Sequence, residues 1–161
     1  MIFSRRNTRR CFEIVADTNI IFSAILYKHG NPRRLFTLAE ERNVNITVLD
    51  HSVEELTEIF SRKGLDIRRG TSFLRTYHNI KTRAVGDVSD NVSYMARDLV
   101  AVVGDRPIFA YVYERIAGGV DCYLVTGDKG MLKAPVKAAL NGRVFTVSDF
   151  IQLWDDFKFV C

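Results

Sequence analysis

Four carboxylates in this sequence stand where chain geometry could bring them together. Asp17 closes the apolar run Glu13-Ile-Val-Ala and is followed by Thr18-Asn19. Asp128 closes a second run, Cys122-Tyr-Leu-Val-Thr126-Gly127-Asp128-Lys129. Glu55 follows the strand-like Asn45-Ile-Thr-Val-Leu49, and Asp105 precedes Arg106-Pro107 and another apolar stretch. Two unit charges about 4 Å apart repel by about 4 kcal/mol at an effective dielectric near 20. Four carboxylates in one cleft therefore need a cation or raised pKa values. Hard oxygen donors of this kind suit Mg²⁺ or Mn²⁺, which retain several waters. Such an ion polarises a phosphoryl oxygen and lowers the pKa of an attacking water.

Each acid also has an ordinary structural reading. Asp17 caps a helix as readily as it binds metal, Asp128 fits a Gly-Asp turn, and Asp105 reads as a helix N-cap. Glu55 is set apart by its phase. At 100° per residue the apolar stripe of its helix is Val53, Leu56, Ile59 and Phe60. Glu54 and Glu58 point nearly opposite, while Glu55 lies about 40° from Ile59, at the edge of the buried face.

The elements that must position these residues alternate between strand and helix. Strands are expected over Glu13–Asp17, Asn45–Leu49, Cys122–Thr126 and Arg143–Thr146, with a short edge strand over Ile80–Val85. Helices are expected over about Ile20–Tyr27, Pro32–Arg42, Val53–Arg62, Ile67–Tyr77, residues 92–100 and Asp105–Ile116, the last ended by Gly118-Gly119. Asp50 to Ser52 offer caps for the third helix, and Ser148 for a terminal helix through Phe157. Alternating apolar strands and helices predict a three-layer α/β/α fold around a central, mostly parallel sheet of about five strands. Ligands in such sheets bind beyond the carboxyl ends of strands, where strand order reverses. Asp17-Thr18-Asn19 and Thr126-Gly127-Asp128 fall at such ends.

Length and composition narrow the field. The chain has 161 residues, enough for one domain. It is expected to consist of a basic arm over residues 1–12 and a domain over 13–161. No apolar run reaches membrane-spanning length, and no apolar segment follows the basic start, so neither a membrane anchor nor a secretory signal is expected. Three widely spaced cysteines, Cys11, Cys122 and Cys161, make no disulfide framework or zinc pattern and point to a reducing, cytoplasmic setting. His29, His51 and His78 have no metal or triad spacing. Of the net charge of +4, residues 1–34 carry +5, including Arg9 and Arg10, and the remainder −1. A second basic stretch, from Arg62 to Arg83, includes Arg68 and Arg69 and only one acid, Asp66. Clustered positive charge suits a polyanion, through counterion release, although on their own these clusters read first as solvated surface.

Asp17-Thr18-Asn19 after an N-terminal strand, Glu55-Leu56 in an early helix, Asp105 before an apolar helix, and the box Thr126-Gly127-Asp128-Lys129 together resemble the PIN-domain family. The resemblance spans about Glu13 to Trp154. It implies a Mg²⁺- or Mn²⁺-dependent ribonuclease with Asp17, Glu55, Asp105 and Asp128 as metal-holding acids, supported by Thr18, Asn19 and Thr126. It implies hydrolysis of single-stranded RNA to 5′-phosphate and 3′-hydroxyl ends. The two basic clusters, which lie outside what the resemblance implies, are expected to guide the RNA backbone toward the acids through Arg9, Arg10, Arg68 and Arg69. Many members are VapC-type toxins silenced by an antitoxin, others process RNA with partner proteins, and homodimers are common. The stretch from Asp105 to Asp128 is longer than the family pattern, so Asp98 and Asp121 stand as alternatives for the third acid. Some relatives are inactive scaffolds that bind RNA or protein, and this is the alternative reading. An aspartyl phosphatase would need a second acid at position 19, which is Asn, and no Walker loop or dinucleotide fingerprint is present. Trp154, Phe157 and Phe159 read as packing or a dimer contact.

Overall fold

In Glu13–Ala16 (β1) three apolar residues follow Glu13; Ile14 and Ala16 face one way and Val15 the other, all three fully buried. A strand covered on both faces belongs in the middle of a parallel sheet, and that is its place in the computed structural model, which describes residues 12–157. β1 pairs in parallel with Asn45–Leu49 (β2) on one side and Cys122–Val125 (β4) on the other. Ile80–Arg83 (β3) extends the sheet beyond β2, and Val144–Phe145 (β5) extends it beyond β4, again in parallel. The order is β3-β2-β1-β4-β5. The chain builds outward from β1 through β2 to β3, then returns to the other side of β1. The reversal of strand order therefore lies between β1 and β4.

Helices Thr18–Leu26 (α1) and Asn31–Glu41 (α2) connect β1 to β2, and Asp50–Arg62 (α3) and Arg68–Thr76 (α4) connect β2 to β3. Asp90–Leu99 (α5), a 3-10 turn over Val103–Asp105 and Arg106–Ala117 (α6) lead to β4. Ala134–Ala139 (α7) and Val147–Phe157 (α8) flank β5. The period-2 alternation of the strands divides the core. Ile14, Ala16, Ile46, Val48 and Val125 pack with α1, α2, α3 and α8, where Phe36, Phe60, Phe150 and Trp154 are fully buried. Val15, Leu49, Cys122, Leu124 and Val144 pack with α5, α6 and α7. This is the three-layer α/β/α arrangement. Among the described residues no helix is long and apolar enough to cross a membrane.

Several local expectations change. Asp50 to Ser52 do not cap α3 from outside: the helix starts at Asp50 directly from β2, and Leu49 at the cap position offers no side-chain acceptor. Ser148 lies inside α8, and Thr146 takes the capping role, its Oγ1 accepting from the Asp149 amide at 3.1 Å. The six-residue α7 has too few turns to show a hydrophobic period, and Pro135 in its first turn is its sequence signal. Gly119, at φ +83°, ends α6 in the left-handed region that glycine enters without strain. Trp154 is core packing. Arg9 and Arg10, the rest of the basic arm before Phe12, Cys11, Phe159 and Cys161 lie outside the described residues, as does the Phe157 side chain.

Candidate active site

The site is built from the ends of the two strands at the reversal. Ala16 and Val125 are register partners, and the Asp17 amide donates to the Val125 carbonyl at 3.1 Å. Asp17 and Thr126 thus leave the sheet side by side. The Asp17 carboxyl is buried and accepts on both oxygens: Oδ1 from the Thr18 amide at 2.7 Å, Oδ2 from the Thr126 hydroxyl at 2.7 Å. The choice between cap and site residue is resolved by doing both. Thr126 Oγ1 in turn accepts from the Asp128 amide at 3.0 Å. One hydroxyl therefore ties the two acids that come from the two strands.

Glu55 reaches the site from α3. Its Oε2 accepts from the Thr18 hydroxyl at 2.7 Å. Asn19 serves the opposite strand end, its Oδ1 accepting from the Gly127 amide at 3.1 Å. A Cβ at Gly127 would meet the Asn19 side chain at about 3.5 Å, so this loop lies close against α1. Asp128 Oδ1 accepts from the Gly130 amide at 3.2 Å. Asp105 occupies the N-cap position of α6 but makes no side-chain capping bond there. It lines the same cavity as Asp128 instead.

Asp17, Thr18, Asn19, Glu55, Asp105, Gly127 and Asp128 all line one cavity of about 710 Å³. Its electrostatics are those of crowded carboxylates. Burial pushes the Asp17 carboxyl above its usual range, with Glu55 and Asp128 adding to the shift, against the two hydrogen bonds that favour its charged form. Asp105 is pushed up to about 7, first by burial, then by the neighbouring carboxyls of Asp128, Asp17 and Glu55. Asp128 Oδ2 is buried with no hydrogen-bond donor. A hard divalent cation answers both conditions, an unsatisfied carboxylate oxygen and mutual repulsion, and the donors are all oxygen. Among the described residues no three acids, histidines or cysteines already form a closed ligand set. The four acids face a shared cavity without touching as a cluster.

Two alternatives for the third acid are placed elsewhere. Asp121 precedes β4 and so sits at its amino end, paired with Arg143. Asp98 is exposed on α5. Asp105 is therefore the third acid in the cavity. Arg68 and Arg69 also lie away from it: Arg68 is held by Asp66, with N–O distances of 3.0 to 3.2 Å, and Arg69 is exposed on α4. The cavity wall instead includes Phe22, Ile59, Arg62 and Lys63. Their signal was present in the sequence, since Ile59, Arg62 and Lys63 stand four, seven and eight residues after Glu55, on its helix face.

Residues 13–129 match the sequence pattern of the PIN domain. The chain belongs to the PIN-domain family. The matched span contains all four cavity acids of this PIN domain, and members of the family are in general nucleases. Among solved structures, the PIN fold here is similar to a chain in the crystal structure of VapBC2 from Rickettsia felis bound to a DNA fragment from their promoter. The TM-score is 0.56 and the identity 18%, over 84% of this chain and 98% of that one. No curated protein sequence matches this PIN domain significantly.

Proposed function

We propose that this protein is a Mg²⁺- or Mn²⁺-dependent endoribonuclease that hydrolyses single-stranded RNA phosphodiesters, leaving 5′-phosphate and 3′-hydroxyl ends. The observation that carries the reading is the convergence of Asp17, Glu55, Asp105 and Asp128 on one cavity at the carboxyl ends of β1 and β4. These four acids would hold the metal. Mg²⁺ or Mn²⁺ in that position supplies Lewis acidity toward the phosphoryl group and a water acidic enough to attack at neutral pH. The protein's own contribution is orientation. The Thr126 hydroxyl fixes Asp17 and the Asp128 backbone together, and the Thr18 hydroxyl fixes Glu55. Asn19 pins the loop that carries Asp128. The protein's role is that of a toxin paired with an antitoxin protein or of an RNA-processing nuclease, and the fold likeness to a chain of VapBC2 accords with the first.

The test is cleavage of a mixed single-stranded RNA pool with Mn²⁺, wild type beside Asp17→Asn. Asn keeps the shape and removes the charge. Cutting that requires Mn²⁺, yields 5′-phosphate ends and drops at least a hundredfold in the variant is the expected result. Absence of cutting by folded wild type across varied RNA pools would overturn the enzyme and leave a binding scaffold.

A further inference from the structure

The acids occupy one part of the cavity; the rest has a different chemistry. Two helices run outward from the carboxylates. Along α1, Thr18 is followed one turn later by Phe22; along α3, Glu55 is followed by Ile59, then by Arg62 and Lys63. Seven residues of helix carry the chain about 10 Å, so Arg62 stands roughly that far from Glu55 along the axis. The cavity is therefore graded, from carboxylates through an apolar floor of Phe22 and Ile59 to two cations.

The floor is fixed in place. The half-buried Phe22 ring meets Phe60 edge-on, at a centroid distance of 5.5 Å, and Phe60 is fully buried. Lys63 Nζ lies 5.9 Å from the Phe22 centroid. Neither cation is held by an acid: among the described residues neither Arg62 nor Lys63 forms an ion pair with a carboxylate, and Lys63 lies over the Phe22 ring. Arg34, Arg68, Arg115 and Arg143 each form such an ion pair. Two unpaired cations on the rim of an acidic cavity suit a phosphate other than the one the acids would address. An aromatic floor suits the face of a base, which is open only in an unpaired strand.

We propose that Phe22, Ile59, Arg62 and Lys63 form a subsite for the nucleotide flanking the scissile phosphodiester. Its phosphate lies on Arg62 and Lys63, and its base lies on Phe22 and Ile59. The proposal rests on the nuclease reading of the acids and adds a reason for single-strand preference. It also moves the backbone contacts from Arg68 and Arg69, the former already bound to Asp66, to the pair on the cavity wall.

Binding of a fluorescein-labelled single-stranded RNA of mixed sequence, followed by anisotropy with Mg²⁺ present, tests this. The full chain carries Asp128→Asn so that the probe is not cut. Adding Arg62→Glu and Lys63→Glu together is expected to weaken binding at least tenfold at low salt. It also reduces the slope of log affinity against log salt by about 0.7, the contribution of one single-strand phosphate contact. Phe22→Leu is expected to weaken single-strand binding several-fold while leaving the slope and the affinity for a duplex of the same sequence unchanged. Arg68→Glu with Arg69→Glu serves as the charge control and has a smaller effect. Equal losses in the control pair and the Arg62/Lys63 pair, or an unchanged slope in the latter, would overturn the subsite. If wild type cuts RNA while the Arg62/Lys63 reversal alters neither KM nor affinity, the subsite fails and the nuclease stands. If wild type neither binds nor cuts RNA, both fall.

Discussion

At the scale of single residues, the site is a set of carboxylates kept out of their ordinary range. Asp105 sits near 7 and Asp17 is raised as well, chiefly because burial disfavours the charged form. A carboxyl raised in the folded state binds more protons there than in the unfolded chain, for every pH between 3.8 and its folded value. Stability contributed by Asp105 is thus highest at low pH and is lost as pH rises toward about 7. The urea midpoint of metal-free wild type, compared with Asp105→Asn, is expected to fall behind the variant progressively across that window. A gap between the two that does not widen with pH would remove Asp105 from the coupled set. Cys122 behaves consistently with its place in the core: burial pushes its thiol up to about 12, so it is an inert packing residue and not a nucleophile.

At the scale of elements, each acid is delivered by a boundary. Asp17 stands at the junction of β1 and α1, Asp128 just beyond β4, Asp105 at the junction of a 3-10 turn and α6, and Glu55 in the second turn of α3. Only Asp17 also caps its helix, and α6 begins without the side-chain bond that Asp105 could have given it. The Asp105 carboxyl lines the cavity without also serving its helix. An ordinary cap is found at α8, where Thr146 serves the Asp149 amide. Thr146→Ala is expected to lower stability by about 1 kcal/mol in urea unfolding. Ser148→Ala, whose hydroxyl only accepts from the exposed Asn31 amide at 2.9 Å, should change it by a few tenths at most. The reverse order would mean that the helix starts later than described.

At the scale of the whole molecule, the strand order decides where chemistry can happen. Because β4 returns to the far side of β1, two strand ends open onto one crevice, and the layers of helices supply its walls. A metal held there by folded protein alone stabilises the whole fold by mass action. Mn²⁺ at about one hundred times its dissociation constant is expected to add about 2.7 kcal/mol, seen as a rise in melting temperature. The rise should vanish in a protein carrying both Asp17→Asn and Asp128→Asn. A melting temperature indifferent to Mn²⁺ in wild type would argue against a metal centre.

The sequence by itself determined the local pieces, because they depend on near neighbours. Alternating apolar strands, Pro32 and Pro107 at helix starts, Gly119 at a helix end, and Asp17 and Asp128 at strand ends are all short-range signals. Glu55 was also legible, since helical phase alone separates it from Glu54 and Glu58. Asp121 could have been excluded on direction: an acid before a strand sits at the amino end, across the sheet from an acid after it. The choice of Asp105 over Asp98, however, needed the packed structure, since both are polar residues at or near helix ends with nothing local to distinguish them. The same holds for Thr126, whose single hydroxyl joins residues 109 positions apart in the chain, and for Arg62 against Arg68. A basic run looks uniform in sequence. The bond of Arg68 to Asp66, two residues away, is local; only the tertiary structure shows which cation stands on the cavity wall, because a shared cavity depends on distances that folding sets.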